Sequence, residues 1–193
     1  MNGRIAALLA LVALCTCAGC GGSSHSPAKA MTPPASLTTF RNAYLQFRYP
    51  QNWRALQFPD SGELHFHPML YLSTQPGHNP CNQTGLSVTC GWPVDQLQPS
   101  GVLVQWENKG FPGWSLATQT GTSIHVDGRP AREQTAKPGD CRSIGADETV
   151  SVEIARPMAD NWTAFTACLR GPNLAASEQK IAAVLASTRF LQP

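Results

Sequence analysis

From about residue 37 onward, apolar and polar positions mostly alternate with a period of two, the spacing of half-buried β-strands. Tyr44-Leu45-Gln46-Phe47-Arg48-Tyr49 alternates large aromatics with other residues and stops at Pro50, so it predicts a strand, and Trp53 follows after a turn. Glu63–His67 and Met69–Ser73 are shorter strand candidates split by Pro68, and Thr74–Trp92 reads as loop. Gly101-Val102-Leu103-Val104-Gln105-Trp106 is apolar enough to be an inner strand, and Gly110-Phe111-Pro112-Gly113-Trp114 makes an aromatic turn. Thr122–Val126 runs into Asp127-Gly128, a hairpin signal, and Arg129–Gln134 returns, with Pro130 confined to the start or edge of its strand. The cleanest alternation is Thr149–Ile154, with Val150, Val152 and Ile154 on one side, and Trp162–Leu169 pairs with it across a turn at 156–160. The period then changes: after a capping candidate at Asn173, Leu174, Ile181, Val184 and Leu185 mark one face of a helix, and the alanines around them allow close approach to a sheet. The order of elements predicts an α+β fold, a mostly antiparallel β-sheet covered by helices with the C-terminal helix on the sheet.

The N-terminal pattern is of another kind. Arg4 precedes an apolar run, Ile5–Leu14, of about ten residues, whereas a helix that spans a bilayer needs roughly 20. A positive start, a short apolar core and small residues before a break describe a cleaved export signal. Cys17-Ala18-Gly19 lead directly into Cys20 and resemble a bacterial lipobox, although Cys17 stands where such sequences usually carry Leu, Val or Ile. A plain signal peptide cut near Ala18 is the rival. Gly21-Gly22-Ser23-Ser24-His25-Ser26-Pro27 continues as a flexible tether. The expected organisation is a lipoprotein signal peptide at 1–19, a lipidated Cys20 with its linker at 20–36, and one extracytoplasmic domain at 37–193, large enough for a full hydrophobic core. Its membrane contact would be the lipid anchor, since two or three acyl chains suffice for stable attachment.

Charge narrows the function classes. There are 14 Lys plus Arg against 12 Asp plus Glu, for a formal net charge of +2, and no basic cluster, so nucleic-acid binding has nothing to rest on. Sixteen Gly and 16 Pro fit a loop-rich exported chain held by crosslinks. Beyond the leader lie Cys81, Cys90, Cys141 and Cys168; four cysteines allow three connectivities, of which Cys81–Cys90 and Cys141–Cys168 are favoured. On chain entropy these closures would contribute roughly 2.7 and 3.6 kcal/mol. Zinc would need CxxC-type spacing, which is lacking, and no cofactor is implied.

Three stretches together resemble PsbP-like domains: Tyr44–Trp53 with its YP..W turn, Val126-Asp127-Gly128-Arg129-Pro130-Ala131 with its G-P-A hairpin, and Ala186-Ser187-Thr188-Arg189-Phe190 with its S-x-R-F ending. Actinobacterial lipoproteins carry domains of this kind. The resemblance implies an antiparallel sheet covered by helices and an accessory or binding role without a shared catalytic set; the four cysteines are not part of that pattern.

Two groups of residues suggest sites. Trp92, Phe111 and Trp114, on Gly/Pro-rich loops, could present aromatic anchors to an envelope protein partner, and would then be exposed together at one end of the sheet. His65 and His67 sit two apart on a strand candidate, so both imidazoles would leave one face, and with His78 or Glu63 they could hold a metal. Catalytic motifs are lacking: there is no G-x-S-x-G, S-x-x-K or H-E-x-x-H, and a triad such as Ser100, His125 and Asp127 has nothing to select it. The reading is a non-catalytic accessory or binding lipoprotein of the bacterial envelope, with a small envelope enzyme or a metal-binding protein as the alternative.

Overall fold

The structure is a computed structural model that describes residues 36–59, 66–84 and 87–191. The leader, Cys20, the linker as far as residue 35, and also Glu63 and His65 lie outside the described residues. In chain order the strands are β1 (Leu37–Arg41), β2 (Leu45–Pro50), β3 (Arg54–Leu56), β4 (Phe66–Ser73), β5 (Cys81–Thr84), β6 (Ser87–Cys90), β7 (Val102–Gly110), β8 (Thr122–Val126), β9 (Arg129–Ala136), β10 (Glu148–Ala155), β11 (Asn161–Leu169) and β12 (Arg189–Phe190). The α-helix, α1 (Leu174–Ser187), lies between the last two.

Seven strands form the main sheet in the order β3-β4-β7-β11-β10-β9-β8, β1-β2-β12 form a second sheet, and β5-β6 pair separately. The recorded pairings are antiparallel. Local chemistry explains the turns. At Asp127-Gly128 both central residues have positive φ, 51° and 75°, the requirement of a two-residue turn whose twist matches its strands. Pro130 faces β8 at a point where β9 has not yet met β10, so its missing N–H breaks no inner ladder.

Period-two alternation divides the main sheet into two faces. Val102, Val104 and Trp106 on β7, Val150, Val152 and Ile154 on β10, and Phe165, Ala167 and Leu169 on β11 share the core face with Leu70 and Leu72 of β4. Burying each such side chain contributes about 1.5–3 kcal/mol. Opposite them stand Leu45, Phe47 and Tyr49 from β2, and Ile181, Val184 and Leu185 from α1. A smaller cluster lies on the other face at the Val102–Leu169 end, where Tyr71, Leu103 and Cys168 are covered by Val94, Leu97, Cys141 and Ile144.

The fold class needs correction. Helices do not cover the sheet: among the described residues there is a single α-helix, and the chain is mostly β. Much of the cover is the β1-β2-β12 sheet. Leu37-Thr38-Thr39-Phe40-Arg41 is rich in β-branched and aromatic residues that suit a pleated surface, and it pairs with β2 along its whole length. Three local expectations also change. Pro68 does not split β4; the register slips between Pro68 and Leu70, and a bulge absorbs the proline. The stretch expected as loop at 74–92 contains the β5-β6 hairpin, in which Cys81 and Cys90 are direct register partners. Asn173 stands at the helix N-cap but makes no capping bond, because its amide donates to Ser100 Oγ at 3.2 Å.

Candidate functional site on the open face of the sheet

The face of the main sheet turned away from the large core is polar, and its middle is left open. Register places the residues in rows across the strands. One row runs Arg132–Glu153–Ala164–Glu107, and the next Gln134–Ser151–Thr166–Gln105–Tyr71. Short side chains at Ser151, Ala164 and Thr166 thus adjoin in the centre, ringed by longer ones. The result is a cleft of about 200 Å3, lined among others by Lys109, Arg132, Gln134, Asp140, Glu153 and Trp162.

Both ends of the cleft are built. At one end a 3-10 turn, Gly139–Ile144, carries Asp140 and is tied to β11 by the Cys141–Cys168 disulfide. At the other, Trp162 stacks on Trp114 with ring centroids 4.6 Å apart and planes 12° from parallel. Trp114 reaches that position because the loop after β7 is pinned to the β10–β11 turn: Phe111 N–H donates to the Asp160 carbonyl at 3.0 Å, and Gly113 N–H to Asp160 Oδ1 at 3.2 Å. Gly113 has φ of +82°, which a side chain would strain.

The charges are interlocked. Lys109 Nζ lies 3.2 Å from Glu107 Oε2, and Glu107 is almost fully buried. Burial, followed by the Glu107 charge, pushes the Tyr71 hydroxyl well above the usual tyrosine range, and Gln105 donates to that hydroxyl at 3.3 Å. Burial raises the Glu153 carboxyl above the ordinary glutamate value, while the Lys109 charge and the neighbouring Trp114 indole pull it partly back. The Trp114 N–H and Glu153 Oε2 nevertheless close no hydrogen bond of normal geometry, and Trp162 Nε1 is likewise unpartnered. Arg132 donates to Ser123 Oγ, and Gln134 donates to the Thr120 carbonyl and hydroxyl, both at 2.8 Å.

The raised Glu153 fixes a pH dependence. The unfolded chain ionises first as pH rises, so stability falls through the ordinary glutamate range and levels off once the folded carboxyl has ionised. Glu153→Gln should flatten the stability profile between about pH 4 and pH 7 and leave the protein at least as stable at neutral pH. Urea unfolding at both pH values checks this; a variant with the wild-type slope would assign the dependence to other carboxyls.

The aromatic anchors are not brought together. Trp92 is half-buried against the smaller core cluster, at the Leu103–Cys168 end, and borders a separate groove of about 400 Å3 with His78 and Asp95. Phe111 is 62% exposed at the opposite end, beyond Gly110, and Trp114 is half-buried there. Of the metal candidates, His65 lies outside the described residues, and the backbone of His67 pairs with Asn108 in β4. Among the described residues no group of three His, Cys, Asp or Glu side chains could hold a metal ion. Ser100, His125 and Asp127 do not form a triad: Ser100 Oγ accepts from Asn173, and Asp127 Oδ2 accepts from Phe190 N–H at 2.8 Å.

Sequence reasoning missed Lys109, Arg132, Glu153 and Trp162. A signal was available, since Ser151 and Glu153 are the polar partners of the alternation that marks Val150, Val152 and Ile154 as core. On an inner strand whose other face is buried, such polar positions line an open face rather than a generic surface. Two disulfides mark an oxidising, extracytoplasmic environment, and no helix among the described residues is long and apolar enough to cross a membrane. No protein-family model matches this chain, and no curated protein matches it.

Proposed function

We propose that the chain is a lipid-anchored binding or accessory protein of a bacterial cell envelope, acylated at Cys20, with the open sheet face as its binding surface. The observation that carries this reading is the polar cleft over Ser151, Ala164 and Thr166, walled at both ends and placed on rigid strands. Inner strands normally have both faces covered or one face plainly solvated, whereas here charged and aromatic side chains converge on a depression. The three motifs that resemble PsbP-like domains agree with an accessory role, and the disulfides with export.

The test uses the full chain in intact bacterial cells. A photo-crosslinking residue at Gln134, on the open face, should capture an envelope component, while one at Lys180, on the exposed side of α1, should not. Cys20→Ala should abolish labelling by a tagged fatty acid and move the protein from the membrane to the soluble fraction. Equal capture from both positions would overturn the binding face, and retained label on Cys20→Ala would overturn the anchor.

A further inference from the structure

We infer that the cleft on the open sheet face binds a sugar residue of an uncharged glycan, an inference that rests on that face being the binding surface. Size comes first. At about 200 Å3 the cleft is smaller than the 300–1,000 Å3 typical of sites for drug-sized ligands and cofactors, and suits a single ring.

Charge comes second. Lys109 and Arg132 face Glu153 and Asp140 in the cleft lining, so neither sign predominates there. A neutral polyol is favoured over an anion or a cation. Its hydroxyls donate and accept at once, which matches a ring that mixes donors (Arg132, Lys109), acceptors (Glu153, Asp140) and groups that do both (Ser151, Thr166, Gln134).

The end wall is the third observation. Trp162 lines the cleft as an aromatic wall, backed by Trp114 stacked on it with ring centroids 4.6 Å apart. An indole offers the C–H face of a sugar ring an apolar surface with a polar edge.

The test takes the purified full chain carrying Cys20→Ala and titrates it with two neutral disaccharides, chitobiose and maltose, and with galacturonate and inorganic phosphate as charged controls. Binding is read by saturation-transfer NMR and by calorimetry. At least one neutral sugar should bind. Thr166→Phe, which fills the cleft from its floor, and Trp114→Ala, which removes the support of its wall, should each weaken binding at least tenfold, with the fold checked by circular dichroism. Should Trp114→Ala fail to fold, Thr166→Phe alone decides. Binding of a charged control without either sugar, or sugar binding unchanged by Thr166→Phe, would overturn the inference. Absence of sugar binding while the Gln134 crosslink persists would overturn the sugar and leave the binding face intact; loss of both would overturn both.

Discussion

Replacing Trp106 by alanine should cost about 3–5 kcal/mol, a large share of the roughly 5–15 kcal/mol that holds a domain folded. Trp106 is fully buried on the core face of β7, and the rings of Phe47, Phe165 and Phe190 lie 5.9, 4.8 and 6.5 Å from it. Those three come from β2, β11 and β12, so one indole joins the main sheet to the second sheet laid across it. The cavity left by its removal would be bordered by rigid strands of both sheets, which cannot easily close over it. Trp106→Phe should cost distinctly less. The indole N–H has no partner in the core, so phenylalanine loses ring volume without stranding a hydrogen-bonding group. Urea unfolding with an unchanged slope measures both. A loss below about 1 kcal/mol for the alanine variant would mean that the second sheet is not seated on this ring.

The strands that carry this core were legible, as were β2 and α1 laid across them, but β1 and β12, which complete the second sheet, were not. β2, β7, β10 and β11 announce themselves because their apolar residues recur at every second position, and the structure places those residues on one face. Asp127-Gly128 was readable for a different reason, since only a few residue pairs tolerate two successive positive φ angles. The second sheet escaped notice because β1 and β12 are short, and their exposed or half-buried positions leave little contrast between faces. Their partner is set by tertiary contact with β2, not by local pattern. The β5-β6 hairpin was hidden likewise: Cys81-Asn82-Gln83-Thr84 has no apolar stripe, and its pairing is fixed by a crosslink.

The candidate site was less legible still, because it is a property of the sheet order. Lys109 and Glu153 are 44 positions apart in the chain, and only the order β7-β11-β10 brings their strands within one strand of each other. Spacing arguments favour pairs that are close in sequence, such as His65 and His67, or clusters of one residue type, such as Trp92, Phe111 and Trp114. Antiparallel folding instead assembled Ser151, Ala164 and Thr166, three unremarkable residues whose shared property is being short. Trp114, which the sequence grouped with Trp92 and Phe111, stacks instead on Trp162.

Removing the Cys141–Cys168 disulfide should have the larger effect of the two crosslinks, and it should reach the cleft. Its loop spans 27 residues against 9 for Cys81–Cys90, which on chain entropy corresponds to roughly 3.6 against 2.7 kcal/mol. Burial widens the gap. Both Cys141 and Cys168 are fully buried and pack with Tyr71, Leu97, Leu103 and Ile144, so their loss also loosens an apolar cluster, whereas Cys81 and Cys90 are half-buried on a hairpin. The Cys141→Ala, Cys168→Ala double variant should therefore melt roughly 7–14 °C below the parent, on about 2–4 °C per kcal/mol for a domain of this size. The Cys81→Ala, Cys90→Ala variant should melt above it. Because Cys141 sits in the turn that carries Asp140, freeing that turn removes one wall of the cleft, and ligand binding should weaken at temperatures where the rest of the domain is still folded. Thermal scans of the two double variants, with sugar titration at 15 °C, separate these effects. If the Cys81–Cys90 pair proved the more costly to remove, the apolar cluster under the turn would contribute little, and the wall would be held by Thr149, whose hydroxyl accepts from Cys141 N–H at 3.2 Å.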